Sequence, residues 1–355
     1  MLKTSKSNMS GLAQSVLGPV NPEDLGSTMT HEHLLIDFAF MLEMPSEASG
    51  KFKAMQPITM ENLGWIRYNW LSNKDNLEVL DETTAIQEAR LYQIAGGGTI
   101  VDATTIGIGR DPLALARISR ATGINVVMGA GFYVDKVHPQ DMSERTDVEL
   151  ADQMIKEITV GVGDTGVKAG IIGELGCSWP LTENERKVLR AAAKAQQATG
   201  APILIHPGPD EEAPLEIIEV LAEAGADIGR TIIGHLDRTI FDTKKLLDLA
   251  KTGCYLEYDI FGNESTGIQR AGKEVRLMND VERMDNCRLL IDKGYGDKVL
   301  TAQDICTKHR LVKYGGHGYH HIIENIVPRM RKRGFDDVEV TAILEKNPAA
   351  ILKFS

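Results

Sequence analysis

A repeated alternation constrains this chain more than any other feature. Short β-rich runs, apolar on both faces, are each followed by a turn and an amphipathic helical stretch. Eight runs can be read: Ser27–His33, Thr99–Thr105, Asn125–Gly131, Ala169–Gly176, Pro202–Pro207, Thr231–Leu236, Tyr255–Ile260 and Val299–Ile305. Stretches such as Ile171-Ile172, Ile203-Leu204-Ile205 and Ile232-Ile233 offer no polar face to water, so helices must cover their sheet. The intervening segments supply them. Glu82–Ala95 stops at Gly96-Gly97-Gly98, and Thr182-Glu183-Asn184-Glu185 is a capping box opening a helix that runs through Ala198. Ala213–Ala224 and Asp242–Lys251 also end near glycines. Such alternation implies an α/β fold with a parallel sheet. Eight strands favour a (β/α)8 TIM barrel, with a doubly wound open sheet as the alternative. No Pro/Gly/Ser-rich linker splits the chain, so residues 1–355 read as one barrel domain. The long stretch 39–81, with Trp65, Tyr68 and Trp70, reads as an insertion after strand 1, lying over the barrel mouth.

Composition excludes several classes. A formal net charge of −11 repels phosphate backbones, so nucleic acid is not an expected partner. No apolar run reaches the 18 or so residues of a membrane span. The first 20 residues hold no continuous apolar segment, so a secretory leader is not expected. Four cysteines (Cys177, Cys254, Cys287, Cys306) are spread without a CxxC, which fits a reducing compartment and a cytoplasmic protein. Asn8-Met9-Ser10 and Asn263-Glu264-Ser265 match the glycosylation triplet, which needs a secretory route. Gly161–Gly166 matches GxGxxG but precedes a strand, so it reads as a loop. The basic cluster Arg329, Arg331, Lys332, Arg333 reads as surface.

The chemistry is written at the strand ends, where barrels carry their active sites. Strand 1 ends in His31-Glu32-His33, strand 4 in Glu174, strand 5 in His206, strand 6 in His235 and strand 8 in Asp304. The chain has nine histidines, and four of them fall at these ends. Period-two alternation puts His31 and His33 on one face. One histidine at a strand end is ordinarily structural, but this set repeats across five strands. Nitrogen and carboxylate donors without thiolate suit zinc, manganese, cobalt, iron or nickel. Six donors exceed what one catalytic zinc uses. They suit two metals sharing a carboxylate and a hydroxide, about 3.5–4 Å apart. Asp304 is the candidate catalytic acid–base, and Asp237 is a candidate support for the ligands or a helix cap. Lys308 and Arg310 follow strand 8 and are candidate substrate-binding cations.

At these residues the chain resembles the phosphotriesterase-related proteins of the amidohydrolase superfamily. THEHLLIDF (30–38), AGIIGELGCSWPLTENER (169–186), ILIHPG (203–208), IIGHLDRT (232–239) and QDICTKHRLVKYGGHGYHHI (303–322) carry the resemblance, which spans most of the chain. It implies a binuclear site, usually zinc. His31, His33 and Asp304 would hold the buried ion, His206 and His235 the exposed one. Phosphotriesterases and related lactonases bridge the pair with a carboxylated lysine. Here Gly173 stands at that position, and the resemblance assigns the bridge to Glu174, which disfavours organophosphate hydrolysis. It further implies an amidase cleaving N-acetyltaurine, or a related short N-acyl amino sulfonate, to acetate and taurine. The substrate would be a small anionic amide. A lactonase or phosphotriesterase on the same site, and an inert scaffold barrel, are the rival readings. Barrels of this kind commonly pair, so a homodimer is admitted, although no interface patch is legible.

Overall fold

The computed structural model describes residues 9–264, 267–270 and 273–355. Asn8 and Ser265, one residue from each glycosylation-like triplet, lie outside the described residues, as does the start of the first 20 residues.

The eight expected strands form one sheet, each beside its neighbour in chain order: β1 (Ser27–Glu32), β2 (Gly97–Asp102), β3 (Asn125–Ala130), β4 (Ile171–Gly176), β5 (Ile203–His206), β6 (Thr231–Ile233), β7 (Tyr255–Tyr258) and β8 (Val299–Thr301). All seven pairings along this order are parallel. The two-sided apolar pattern has a direct structural cause. Val101, Val127, Ile171, Leu204, Ile232 and Leu300 pack in one buried cluster. Their strand neighbours Ile100, Val126, Ile172, Ile203, Ile233 and Val299 pack in another with the helices. The capping box is formed as read: Thr182 and Glu185 cap the helix Glu183–Thr199, and Gly200 closes it at φ +75°.

The seam between β1 and β8 is closed by the Glu32 side chain together with a backbone hydrogen bond. Glu32 accepts hydrogen bonds from the backbone N–H of Gln303 at 2.8 Å and of Ile305 at 3.0 Å. The Asp304 N–H donates to the His31 carbonyl at 3.1 Å. Burial pushes the Glu32 carboxyl up to about 8, against the pull of these two donors. The middle residue of His31-Glu32-His33 therefore faces the opposite way from its neighbours and holds the barrel shut.

Several strands end earlier than the sequence suggests. β6 stops at Ile233 and β8 at Thr301, and beyond these ends His235 (φ +55°) and Asp304 (φ +46°) adopt the left-handed region. Non-glycine residues rarely adopt it, and two of them at one barrel mouth mark a functional constraint. Stretch 39–81 is a folded insertion, pinched at its base by the antiparallel pairs Ile36–Val79 and Asp37–Glu78. It carries helices Ala48–Ala54 and Leu63–Tyr68 and joins the loop after β8. There Asp75 pairs with Lys308 at 2.6 Å, and Asn76 accepts from the His309 N–H at 2.9 Å. A short hairpin, Ala13–Ser15 with Gly18–Val20, was not foreseen. Segment Gly161–Gly166 is a loop, and Arg329, Arg331, Lys332 and Arg333 are exposed.

Candidate metal centre

The six polar side chains singled out at the strand ends converge on the barrel mouth, and Glu174 lies at their middle. Its Oε1 is 3.2 Å from His33 Nε2. Its Oε2 is 3.3 Å from His31 Nε2, 3.0 Å from His206 Nδ1 and 3.6 Å from His235 Nε2. Asp304 Oδ1 lies 3.2 Å from His33 Nε2 and 4.0 Å from His31 Nε2. Donor atoms of His31, His33 and Asp304 therefore lie within 4.8 Å of one another, as do those of Glu174, His206 and His235. Either group could hold a metal ion. The preceding residue shows why the carboxylate comes from position 174. Gly173 sits at φ +124°, and a Cβ there would lie 2.1 Å from the Leu204 carbonyl oxygen, leaving no room for a side chain.

The residues behind this ring were missed by the sequence reading, chiefly Asp259. It accepts from the backbone N–H of His235 at 2.8 Å and lies 2.8 Å from His235 Nδ1 and 3.1 Å from His31 Nδ1. A carboxylate against both Nδ1 atoms holds the ring protons there and turns both Nε2 lone pairs toward Glu174. His31 Nε2 is buried and has no hydrogen-bond partner, although Glu174 Oε2 is near, so its lone pair is unsatisfied by any donor. A divalent cation fits this donor set: it would meet the unpartnered His31 Nε2, and the other inward-facing nitrogens and the two carboxylates lie close enough to share an ion. His33 is fixed in the same manner, its Nδ1 2.9 Å from the Thr104 hydroxyl.

The electrostatics record a buried excess of negative charge. Burial disfavours charge on Glu174, yet His31 and His206 hold its carboxyl well below the ordinary range. Burial likewise opposes charge on Asp259, and His235 and His31 hold it down. His33 is pushed up to about 10: burial opposes its protonation, but Asp304 and Glu174 prevail. His206 goes the other way, to about 3, through burial and the neighbouring His235. A signal for Asp259 was present in the sequence. In Tyr255-Leu256-Glu257-Tyr258-Asp259, positions 257 and 259 share the inward face, as His31 and His33 do.

Two further expectations can be placed. Asp237 does not touch the donor ring; its Oδ2 accepts from Arg283 Nε and from the Ile260 N–H, each at 2.8 Å, tying the ends of β6 and β7 to the helix Asp280–Asp292. Lys308 is turned to Asp75 and does not line the cavity above the ring, whereas Arg310 does. The Arg310 guanidinium donates to the carbonyls of Phe261 at 2.6 Å and Asp304 at 3.3 Å. Phe38, Met41, Trp70, Leu71, Ile260 and Val275 give the cavity its apolar walls, and Met41, Trp70 and Leu71 bring the insertion onto it.

A parallel barrel whose strand ends gather imidazoles and carboxylates around a small apolar cavity defines a metal-dependent hydrolase. The particular family follows from comparison: the chain belongs to the phosphotriesterase family, whose match covers residues 11–352. It is 48% identical to the N-acetyltaurine hydrolase of Xenopus tropicalis over 349 residues, 98% of this chain and 99% of that protein. It is also 48% identical to the N-acetyltaurine hydrolase of Homo sapiens over 352 residues, again 98% and 99%. Among solved structures, a resiniferatoxin-binding protein from Rhodobacter sphaeroides superposes with a TM-score of 0.94 at 34% identity, covering 98% of this chain and 97% of that one.

Proposed function

We propose that this chain is a two-metal amidase that cleaves N-acetyltaurine, or a related short N-acyl amino sulfonate, to acetate and taurine. The observation that carries this reading is Glu174, which lies between two groups of nitrogen donors, Oε1 near His33 and Oε2 near His31, His206 and His235. His31, His33 and Asp304 would hold one ion and His206 and His235 the other, with Glu174 shared. Nitrogen and oxygen donors without thiolate suit zinc. When bound, the ions would make hydroxide available near neutral pH and draw charge from the scissile carbonyl.

The chain's own residues do the rest. Asp304 stands at the open side of the ring, 17% exposed, and can take the proton of the attacking water and return it to the leaving nitrogen. Asp259 and Thr104 fix the rings that face it. Phe38, Met41, Trp70 and Leu71 form an apolar wall that suits a short acyl group and excludes water. The substrate choice draws on the two hydrolases at 48% identity, which match over the whole length of the chain. Four unpaired cysteines support a reducing compartment, and we place the enzyme in the cytosol.

The test is taurine release from N-acetyltaurine by zinc-loaded protein, with Asp304→Asn as control. Release that the control abolishes is the expected result. Two bound ions with no taurine released, and turnover of a lactone instead, would overturn the amidase reading.

A further inference from the structure

The cavity over the donor ring is small, and the insertion supplies much of its wall. Its volume is about 70 Å³, against about 450 and 630 Å³ for the two outer cavities that share Arg310 and Arg238 with it. Pockets that enclose drug-sized ligands run to roughly 300–1,000 Å³, so space is scarce here. Tyr133 apart, the polar side chains on its walls outside the donor ring come from the segments after β6, β7 and β8: Arg238, Asn263, Thr307, His309 and Arg310. Beyond His33, the stretch after β1 contributes only Phe38, Met41, Trp70 and Leu71. A hydrated sulfonate loses free energy by entering such a wall unpaired, whereas a methyl group gains it. The acyl end of the substrate therefore belongs on the insertion's side.

Of these four side chains Trp70 is the largest, and it is held from behind. Its indole nitrogen is buried, so the ring meets the cavity through carbon. Its carbonyl accepts from Asn76 Nδ2 at 2.8 Å. Asn76 is fully buried; its Oδ1 accepts from the His309 N–H at 2.9 Å, and its own N–H donates to Asn73 Oδ1 at 2.8 Å. Next in the chain, the Leu71 carbonyl accepts from the Glu43 N–H at 2.9 Å. Trp70 is thus tied both to the body of the insertion and to the loop after β8. Moving it back to admit a longer chain would leave buried Asn76 with unmet hydrogen bonds, which is costly. Met41, by contrast, is unbranched and can re-pack around a ligand.

We propose that Trp70 sets the acyl-chain length of this site: the acetyl methyl rests against its ring, and butyryl and longer chains are excluded. The assignment rests on the amidase reading, and the test separates the two. Full-length, zinc-loaded wild type, Trp70→Ala and Trp70→Phe are compared on N-acetyl-, N-butyryl- and N-hexanoyltaurine. Tyr68→Ala, which changes an exposed residue of the same insertion, is the control. Binding of acetate and butyrate is measured by calorimetry on the same proteins. A methylene that does not fit an apolar pocket is worth about 10–200-fold, so wild-type kcat/KM should be at least about 10-fold higher for the acetyl than for the butyryl substrate. Trp70→Ala should raise the butyryl-to-acetyl ratio at least about 10-fold, and Trp70→Phe should raise it less. Tyr68→Ala should leave the ratio unchanged, and butyrate should gain on acetate in binding to Trp70→Ala. If Trp70→Ala does not fold, the ratio in Trp70→Phe decides. Equal wild-type rates on acetyl and butyryl substrates, a ratio that neither Trp70 variant changes or that Tyr68→Ala changes as much, or unchanged relative binding of the two acids would overturn the proposal. If wild type cleaves none of the amides yet Trp70→Ala shifts binding from acetate toward butyrate, the amidase reading falls and the acyl wall stands.

Discussion

Asp259→Asn should weaken metal binding although Asp259 lies outside the inward-facing ring of His31, His33, Glu174, His206, His235 and Asp304. In the native protein Oδ1 faces His235 Nδ1 at 2.8 Å. Oδ2 faces the His235 N–H at 2.8 Å and His31 Nδ1 at 3.1 Å. An asparagine has one accepting oxygen. With its NH2 toward His235 Nδ1, that ring must move its proton to Nε2, the atom that faces Glu174. With the NH2 on the other side it opposes the His235 N–H and the His31 ring together. Either orientation protonates a nitrogen that should present a lone pair, or leaves a buried donor unmet. Losing such a partner behind a metal-binding histidine costs about 10–100-fold in metal affinity or activity, which is about 1.4–2.7 kcal/mol. Chelator competition measures the affinity directly, and kcat/KM follows its consequence. Metal affinity and kcat/KM both within threefold of wild type would show that Asp259 does not orient the rings, and the reasoning would fail.

Glu32→Gln leaves one of two buried seam N–H groups facing an amide NH2, so it should lower stability by about 1–3 kcal/mol, read as a fall in Tm; an unchanged Tm would mean that the seam is held elsewhere. Lys308→Met removes a partly exposed ion pair to Asp75, so stability should change by about 0–1 kcal/mol and KM for N-acetyltaurine should stay within threefold. A tenfold rise in KM would return Lys308 to the substrate. His309 is held down to about 3 by burial and by Arg310 and Arg67, so the unfolded chain binds its proton from about 6.5 downward while the native state does not. Stability should therefore fall as pH drops from about 6.5 toward 3, by up to about 1.4 kcal/mol per unit from this residue. Melts at pH 7 and pH 5 should show a steeper loss for wild type than for His309→Asn, and equal slopes would contradict this.

The barrel was legible because its strands are buried on both faces, and burial on both faces writes an uninterrupted apolar run. The donor ring was legible because a strand end is the one place where such a run turns abruptly to histidine or carboxylate. What was lost depends on contacts between distant segments. Asp259 reads as the polar end of an ordinary strand until β6 brings His235 against it. Glu32 sits between two histidines, and only the closure onto Gln303 and Ile305 shows that it serves the seam. Lys308 and Arg310 looked equivalent in sequence, yet the insertion supplies Asp75 to one and leaves the other on the cavity wall.

The most direct test of the shared-carboxylate claim is the metal content of wild type and Glu174→Gln after zinc loading and removal of excess, with taurine release from N-acetyltaurine measured on the same samples. Two ions per chain in wild type, and loss of one ion together with the activity in Glu174→Gln, are the predicted results. Full wild-type activity with one ion or none, or two ions and an undiminished rate in Glu174→Gln, would contradict the account.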